Sequence, residues 1–446
     1  MKHIAKYVLT MFLVPLILFP GCSGTGNINP DKPEPPTPTE RLDSGNRTVI
    51  YEVNERLFSK AGALKDIESQ LDRIASMGVD VIWLMPVFTQ GKLNAFGSPY
   101  CVRNYKEVNP DYGSLADLKS LVASAHSKGM KVILDWVANH TSWDNAWITE
   151  HPDWYTQEGG KIISPKGMGW NDVADLNYSN KDMRAAMKDA MLYWVREADV
   201  DGFRCDYTDG VPGDFWKDCF AALSLVKSDL LLLAESSAAN YYNSGFDLLY
   251  AWDYAGKLPK VYTGNLTVET LFLTVQNEGD ARMRYTINHD TAANSSPSSL
   301  YKSVEGELSA FVLTAFIGGV PMIYSSQEVA YTKTISIFDW INVDWKSNVQ
   351  MQDAYKKVMS AYVASAEVRC GTPTVVSRGK VAEIRYRGND GQGLYVLVNT
   401  SSSEQQVKIS MELAGCSAED LLNRTTTSLP TVQNLPAYGY AIYKTL

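Results

Sequence analysis

Lys131-Val132-Ile133-Leu134-Asp135-Trp136-Val137 is a nearly unbroken apolar run with one carboxylate near its end. Strands of a parallel sheet, buried on both faces, read in this way. Seven further runs share the character, at 49–53, 80–87, 202–206, 230–235, 246–252, 282–290 and 321–327. Between them lie segments with apolar residues at helical spacing, among them 64–77, 115–128, 181–198 and 305–317. Eight strands with helical crossovers over about 320 residues fit a closed (β/α)8 barrel better than an open sheet.

The connection spanning 140–180 holds four Trp, two Pro and four Gly but no long helical pattern. It is expected to be a short irregular insertion after the third strand, functional rather than structureless. After residue 371 the pattern alternates with period two, as in Val381-Ala382-Glu383-Ile384-Arg385-Tyr386-Arg387. Turn residues follow at 388–391, then Leu394-Tyr395-Val396-Leu397-Val398. This predicts a C-terminal antiparallel β domain.

The 446 residues carry 50 acidic and 41 basic side chains, a formal charge of −9. Such a balance disfavours nucleic acid as a partner. Eleven Trp and 25 Tyr supply flat amphipathic rings suited to stacking on sugars. Lys2, Lys6 and the apolar stretch from residue 8 to 19 predict a signal peptide over 1–21. Phe19-Pro20-Gly21-Cys22 resembles a bacterial lipobox with Cys22 as lipid acceptor, and residues 22–45 form a Pro-rich tether. The chain is therefore expected to be exported and membrane-anchored at the outer membrane or cell surface, otherwise periplasmic or secreted. The barrel is assigned to 46–370 and the β domain to 371–446. The five remaining cysteines cannot all pair with one another, and they read as small buried apolar residues.

In a barrel of this kind reactive groups sit at the C-terminal ends of strands, and four of the eight runs carry an acid there. These are Asp135, Asp206, Glu235 and Asp290. Arg204 and Asp206 lie two apart on a strand and leave the same face, so the fixed cation is expected to keep Asp206 ionised with a low pKa. Glu235 follows an apolar run with no basic residue within five positions, so desolvation should raise its pKa towards that of a general acid. Two carboxyl groups tuned apart form the pattern of glycoside hydrolysis. Asp290 with His289, and Asp135 with His140, would grip sugar hydroxyls.

These residues resemble the successive motifs of the α-amylase superfamily of glycoside hydrolases. Gly78-Val79-Asp80-Val81-Ile82-Trp83-Leu84-Met85-Pro86 is similar to its second-strand motif, and Gly319-Val320-Pro321-Met322-Ile323-Tyr324 to its eighth. The closing stretch 435–443 is similar to the last strand of the family's C-terminal sandwich. The resemblance implies Asp206 as nucleophile, Glu235 as general acid/base and Asp290 as transition-state stabiliser. It also implies Tyr100, His140, Arg204 and His289 at the sugar, with Asp135 supporting the pocket. Retention of configuration would follow, with the two carboxyl groups about 5 to 5.5 Å apart. Asn139, Asp175 and the Gly210 carbonyl match ligands of a structural calcium ion. Asp209 and Gly210 stand where family members commonly have Lys and His, which leaves leaving-side binding open. Trp136, Trp143, Trp147, Trp154 and Trp170 are divided between packing and a glucan groove. The expected substrate is a starch-like α-1,4-glucan or maltooligosaccharide. Maltogenic, α-1,6-cleaving and transferase specificities remain alternatives, as does a silent glucan-binding lipoprotein. A glycan-uptake system would supply partners.

Overall fold

The structure, a computed structural model, describes residues 48–279, 281–388 and 392–446. The expected signal peptide, Cys22 and the tether lie outside the described residues. All eight apolar runs form strands: β1 (Ile50–Val53), β2 (Val81–Leu84), β3 (Lys131–Trp136), β4 (Gly202–Cys205), β5 (Leu231–Ala234), β6 (Leu248–Tyr250), β7 (Arg282–Tyr285) and β8 (Val320–Tyr324). Each pairs in parallel with its neighbours in sequence, and β1 pairs with β8 to close the barrel. Closure leaves no open edge, and helices cover the outside. Gly202 opens β4 with φ +145°, and a Cβ there would fall 1.9 Å from the Leu231 carbonyl oxygen, so only glycine fits.

The helices follow their apolar spacing. Lys181–Ala198 buries Met183, Met187, Ala190, Met191, Trp194, Val195 and Ala198 along one stripe. Its first turn is capped by Asn180, whose side chain accepts from the amides of Asp182 and Met183. Leu115–Ser127 begins with a capping box between Ser114 and Asp117. The segment expected as one helix over 64–77 is two, Ala63–Ser69 and Leu71–Ala75, with Gln70 between them.

Two connections at the C-terminal face are enlarged. After β2 a hairpin pairs Phe88–Gln90 with Val102–Val108. The insertion after β3 is tied down by antiparallel pairing of His140–Ser142 with Val173–Asp175. Of its tryptophans and their neighbour on β3, only Trp170 lines the cleft described below. Trp136 is fully buried against Phe88, Tyr105 and Phe203. Trp154 is buried, and Trp147 packs between it and Tyr105. Trp143 is half-buried and donates to the Asn171 carbonyl. Packing therefore takes four of the five, because the insertion has few other apolar residues from which to build a core.

The tail forms a six-stranded antiparallel sheet and a separate two-stranded one, Gln405–Lys408 with Val432–Leu435. The larger sheet is buried on both faces near its centre. Ile384, Tyr386, Leu394, Val396, Val398 and Ile442 join the barrel's core. Val381, Tyr395, Leu397, Ala441 and Tyr443 pack with Val407 and Leu435 of the small sheet. The Tyr386 hydroxyl donates to the Phe316 carbonyl, and that of Ser309 to the Asn399 carbonyl, fastening sheet to barrel. Cys101, Cys205 and Cys219 are buried free thiols, whereas Cys416 is exposed, contrary to the expectation that it would be core. No helix among the described residues is long and apolar enough to cross a membrane.

Candidate active site

The cleft opens at the C-terminal ends of the barrel strands, with a volume of about 230 Å³. Tyr100, His140, Asp206, Glu235, His289 and Asp290 all line it, together with Trp170 and Tyr207. Five widely separated stretches of sequence thus converge on one cavity. Asp135 and Arg204 do not line it. Both are fully buried beneath it, so their expected contact with sugar is corrected to a supporting place.

Arg204 organises the floor. Its Nη1 lies 2.8 Å from Asp135 Oδ1 and 2.8 Å from Asp206 Oδ1, and its Nη2 lies 3.1 Å from Glu235 Oε2. The Tyr250 hydroxyl accepts from Nε at 3.1 Å. Two expectations change here. Glu235 has a cation beside it, brought from another strand rather than from its own sequence neighbourhood. Asp206 is not held low: burial, with Asp135 and Asp290 nearby, outweighs Arg204 and pushes its carboxyl up to about 6. One guanidinium shared among three buried carboxylates cannot fully compensate each. Glu235 is pushed further, to about 7, by burial and by Asp206 and Asp290, against the opposing pull of Arg204. The order expected from sequence survives, with Glu235 the more reluctant to ionise.

Glu235 is also held from the front. Its Oε2 accepts the Tyr207 backbone N–H at 2.7 Å. Tyr207 follows Asp206 directly and has φ +36°, ψ +55°, a left-handed conformation that costs a non-glycine residue about 1 kcal/mol or more. The backbone turns sharply there and aims one amide at the neighbouring acid. Asp209, two residues on, accepts from the Ser236 hydroxyl at 2.8 Å, which links the turns after β4 and β5.

On the opposite wall Tyr100 stacks on His289, ring centroids 5.4 Å apart, and its hydroxyl lies 2.8 Å from His289 Nε2 and 3.1 Å from Asp135 Oδ2. Asp290 Oδ1 is 3.4 Å from the same Nε2, and Asn288 donates to Asp290 Oδ2. The nearby imidazole holds the Asp290 carboxyl below the usual range. Burial lowers His140 to about 4, keeping it neutral beside Trp170. Glu52 on β1, which escaped the sequence reading, lies beneath this wall with Oε1 2.5 Å from His289 Nδ1. Its signal was the same as for the other acids, a carboxylate near the end of an apolar run.

Of the residues expected to hold calcium, Asn139 lies close to Gly210 and to the backbone beside Asp175. The Asn139 carbonyl accepts from the Leu176 amide, which follows Asp175 directly. A Cβ on Gly210 would sit 2.2 Å from Asn139 Oδ1, so the space between them belongs to a glycine. Burial raises the Asp175 carboxyl, with Thr156 and His140 opposing. Donors of this kind, an amide oxygen, a carboxylate and a backbone carbonyl, are of the type that suits a hard cation such as calcium. Among the described residues there is no cluster of three or more His, Cys, Asp or Glu that would hold a transition metal.

Residues 38–218 match the family described as Alpha amylase, catalytic domain. The crystal structure of an α-amylase from Lactobacillus plantarum superposes with a TM-score of 0.80 at 29% identity, covering 91% of this chain and all of that one. Over these residues the chain is similar to the α-amylase family of glycoside hydrolases. Alpha-amylase 3 of Dictyoglomus thermophilum is 28% identical over 250 residues, 48% of this chain and 46% of its own. An α-glucosidase of Apis mellifera is 32% identical over 197 residues, 35% and 34% of the two chains. The chain thus spans less than half the length of each of these curated relatives.

Proposed function

We propose that this protein is a retaining, endo-acting hydrolase of α-1,4 bonds in starch-like glucans, working through a covalent glycosyl-enzyme. The observation that carries the reading is Arg204 holding two cleft carboxylates of unequal acidity, Asp206 and Glu235. Asp206, the more readily ionised, attacks the anomeric carbon while Glu235 gives its proton to the departing glycosidic oxygen. Glu235, now a base, takes a proton from water, the water oxygen attacks the same carbon, and Asp206 leaves as carboxylate. Asp290, ionised beside His289, stabilises positive charge on the sugar ring and accepts from its hydroxyls. Tyr100 and His140 bound the sugar at that position.

Calcium belongs to the proposal as a structural ion held by Asn139, Asp175 and the Gly210 carbonyl, where it would pin the insertion to the turn after β4. So does the lipid anchor on Cys22, which would keep the protein at the outer membrane or cell surface beside components of a glycan-uptake system. Protease treatment of intact cells tests that placement, and protection would count against surface display.

Product analysis on amylose, pullulan and maltotriose, with Asp206→Asn alongside, tests the activity. Oligosaccharides from amylose that vanish in the variant are the expected result. Cleavage of pullulan alone would move the specificity to α-1,6 bonds, and products longer than the substrate would mark a transferase. Binding of amylose with no product from any α-glucan would leave a glucan-capture protein.

A further inference from the structure

Glu52 is a fully buried carboxylate with no part in the scheme above. It stands on β1 in register with Trp83 of β2 and Tyr324 of β8. Burying a carboxylate is costly unless charge or hydrogen bonds compensate. Its Oε1 meets Nδ1 of His289, and its Oε2 has no hydrogen-bond partner among the described residues.

The atoms beyond it fix where the protons are. Asp135, ionised at neutral pH beside Arg204, only accepts, so the Tyr100 hydroxyl at 3.1 Å donates to it. That hydroxyl is then left to accept, and the atom 2.8 Å away, His289 Nε2, must carry a hydrogen. Nδ1 faces Oε1 of Glu52, whose carboxyl burial pushes up while His289 and Arg204 hold it down; with Glu52 ionised, Nδ1 carries a hydrogen too. An imidazole protonated at both nitrogens is a cation.

From this chain of atoms we propose that Glu52 is a positioning residue: it holds His289 as an imidazolium whose Nε2–H is permanently aimed at Tyr100, Asp290 and a hydroxyl of the bound sugar. Only the sugar contact rests on the hydrolase reading. The charged groups facing His289 are Glu52 on β1, Asp290 in its own turn, Arg204 on β4 and, through Tyr100, Asp135 on β3. Burial and Arg204 oppose the imidazolium, but Asp290 and Glu52 prevail and push His289 up to about 10. Without Glu52, Nε2 would lose its hydrogen within the working pH range, and the Tyr100 hydroxyl would turn towards it and away from Asp135.

The test is a nitrogen NMR titration of the full chain with labelled imidazoles, for wild type, Glu52→Gln and Glu52→Asp, the His289 signal being assigned by its loss in His289→Gln. In wild type one imidazole should stay doubly protonated to at least about pH 8.5, and Glu52→Gln should lower its titration by about two units or more. Glu52→Asp, which keeps the charge, should restore part of the shift. In parallel, kcat/KM on amylose in Glu52→Gln should fall roughly tenfold at about pH 7.5 and recover in part at about pH 5.5. Equal titration in wild type and Glu52→Gln, or a wild-type His289 already neutral at about pH 7.5, would overturn the proposal. If Glu52→Gln fails to fold, the wild-type titration and Glu52→Asp still decide it. A wild-type protein that hydrolyses no α-glucan sinks the proposed function instead, and the NMR comparison stands apart from that result.

Discussion

Moving about 1.5 pH units to either side of an optimum near 6.5 is expected to cut hydrolysis roughly sixfold. In the proposed mechanism Asp206 must be ionised to attack, and burial only partly offset by Arg204 sets its carboxyl at about 6. Glu235 must be protonated to donate, and burial with Asp206 and Asp290 nearby sets it at about 7. With those values about 0.6 of the molecules hold both required charge states near pH 6.5, and about 0.09 do so near pH 5 or pH 8. The limbs belong to the cluster around Arg204 rather than to single residues. The assay is kcat/KM for amylose from reducing-end release, which reports the free protein's titrations. An acid limb near pH 4, leaving the rate at about pH 5 undiminished, would refute the reasoning, because the Arg204 charge would then outweigh burial as the sequence alone suggested.

Asp206→Asn keeps the shape of the side chain but not its nucleophilicity, and should lower kcat at least ~10³-fold while the fold is retained by circular dichroism; a surviving tenth of the rate would exclude Asp206 as the attacking group. Gly210→Ala puts a Cβ 2.2 Å from Asn139 Oδ1 and 2.6 Å from the Tyr207 ring. Such overpacking should cost about 1–3 kcal/mol, read from the urea midpoint, and an unaltered midpoint would show that the turn gives way. A calcium chelator should lower Tm, with recovery on adding calcium back and not magnesium; indifference to the chelator removes calcium from the proposal. Trp136→Ala empties a site packed by three aromatic rings and should destabilise by about 3–5 kcal/mol in the same urea measurement.

The barrel was legible because its strands are buried on both faces, so each announces itself as a short apolar run without help from distant residues. Arg204 and Asp206 were legible as a pair because two positions along a strand share a face. Proximity across the barrel was not. The contact between Arg204 and Glu235 joins adjacent strands, and that between His289 and Glu52 joins residues 237 apart. A search confined to sequence neighbours sees neither, and for that reason Glu235 looked free of cations and Asp206 looked well supplied. Glu52 carries the same signal as the other acids, a carboxylate near the end of an apolar run, but the histidine that gives it a task lies just past the end of β7. The crowding of Trp136, Trp147 and Trp154 into packing was equally invisible, since an aromatic ring has the same letter in a core as on a sugar platform.

Arg204 touches three carboxylates at once, which makes their charges interdependent over a reaction cycle. In the proposed scheme Asp206 becomes an ester and ceases to be an anion, so the guanidinium is left with Asp135 and Glu235. At the same moment Glu235 loses a repelling neighbour. Both changes favour its deprotonated form, in the half of the cycle that needs a base. When water releases the sugar, the returning Asp206 charge pushes the proton back onto Glu235. On the proposed scheme, the timing of acid and base roles would be set by electrostatic feedback through one buried cation, with no moving part.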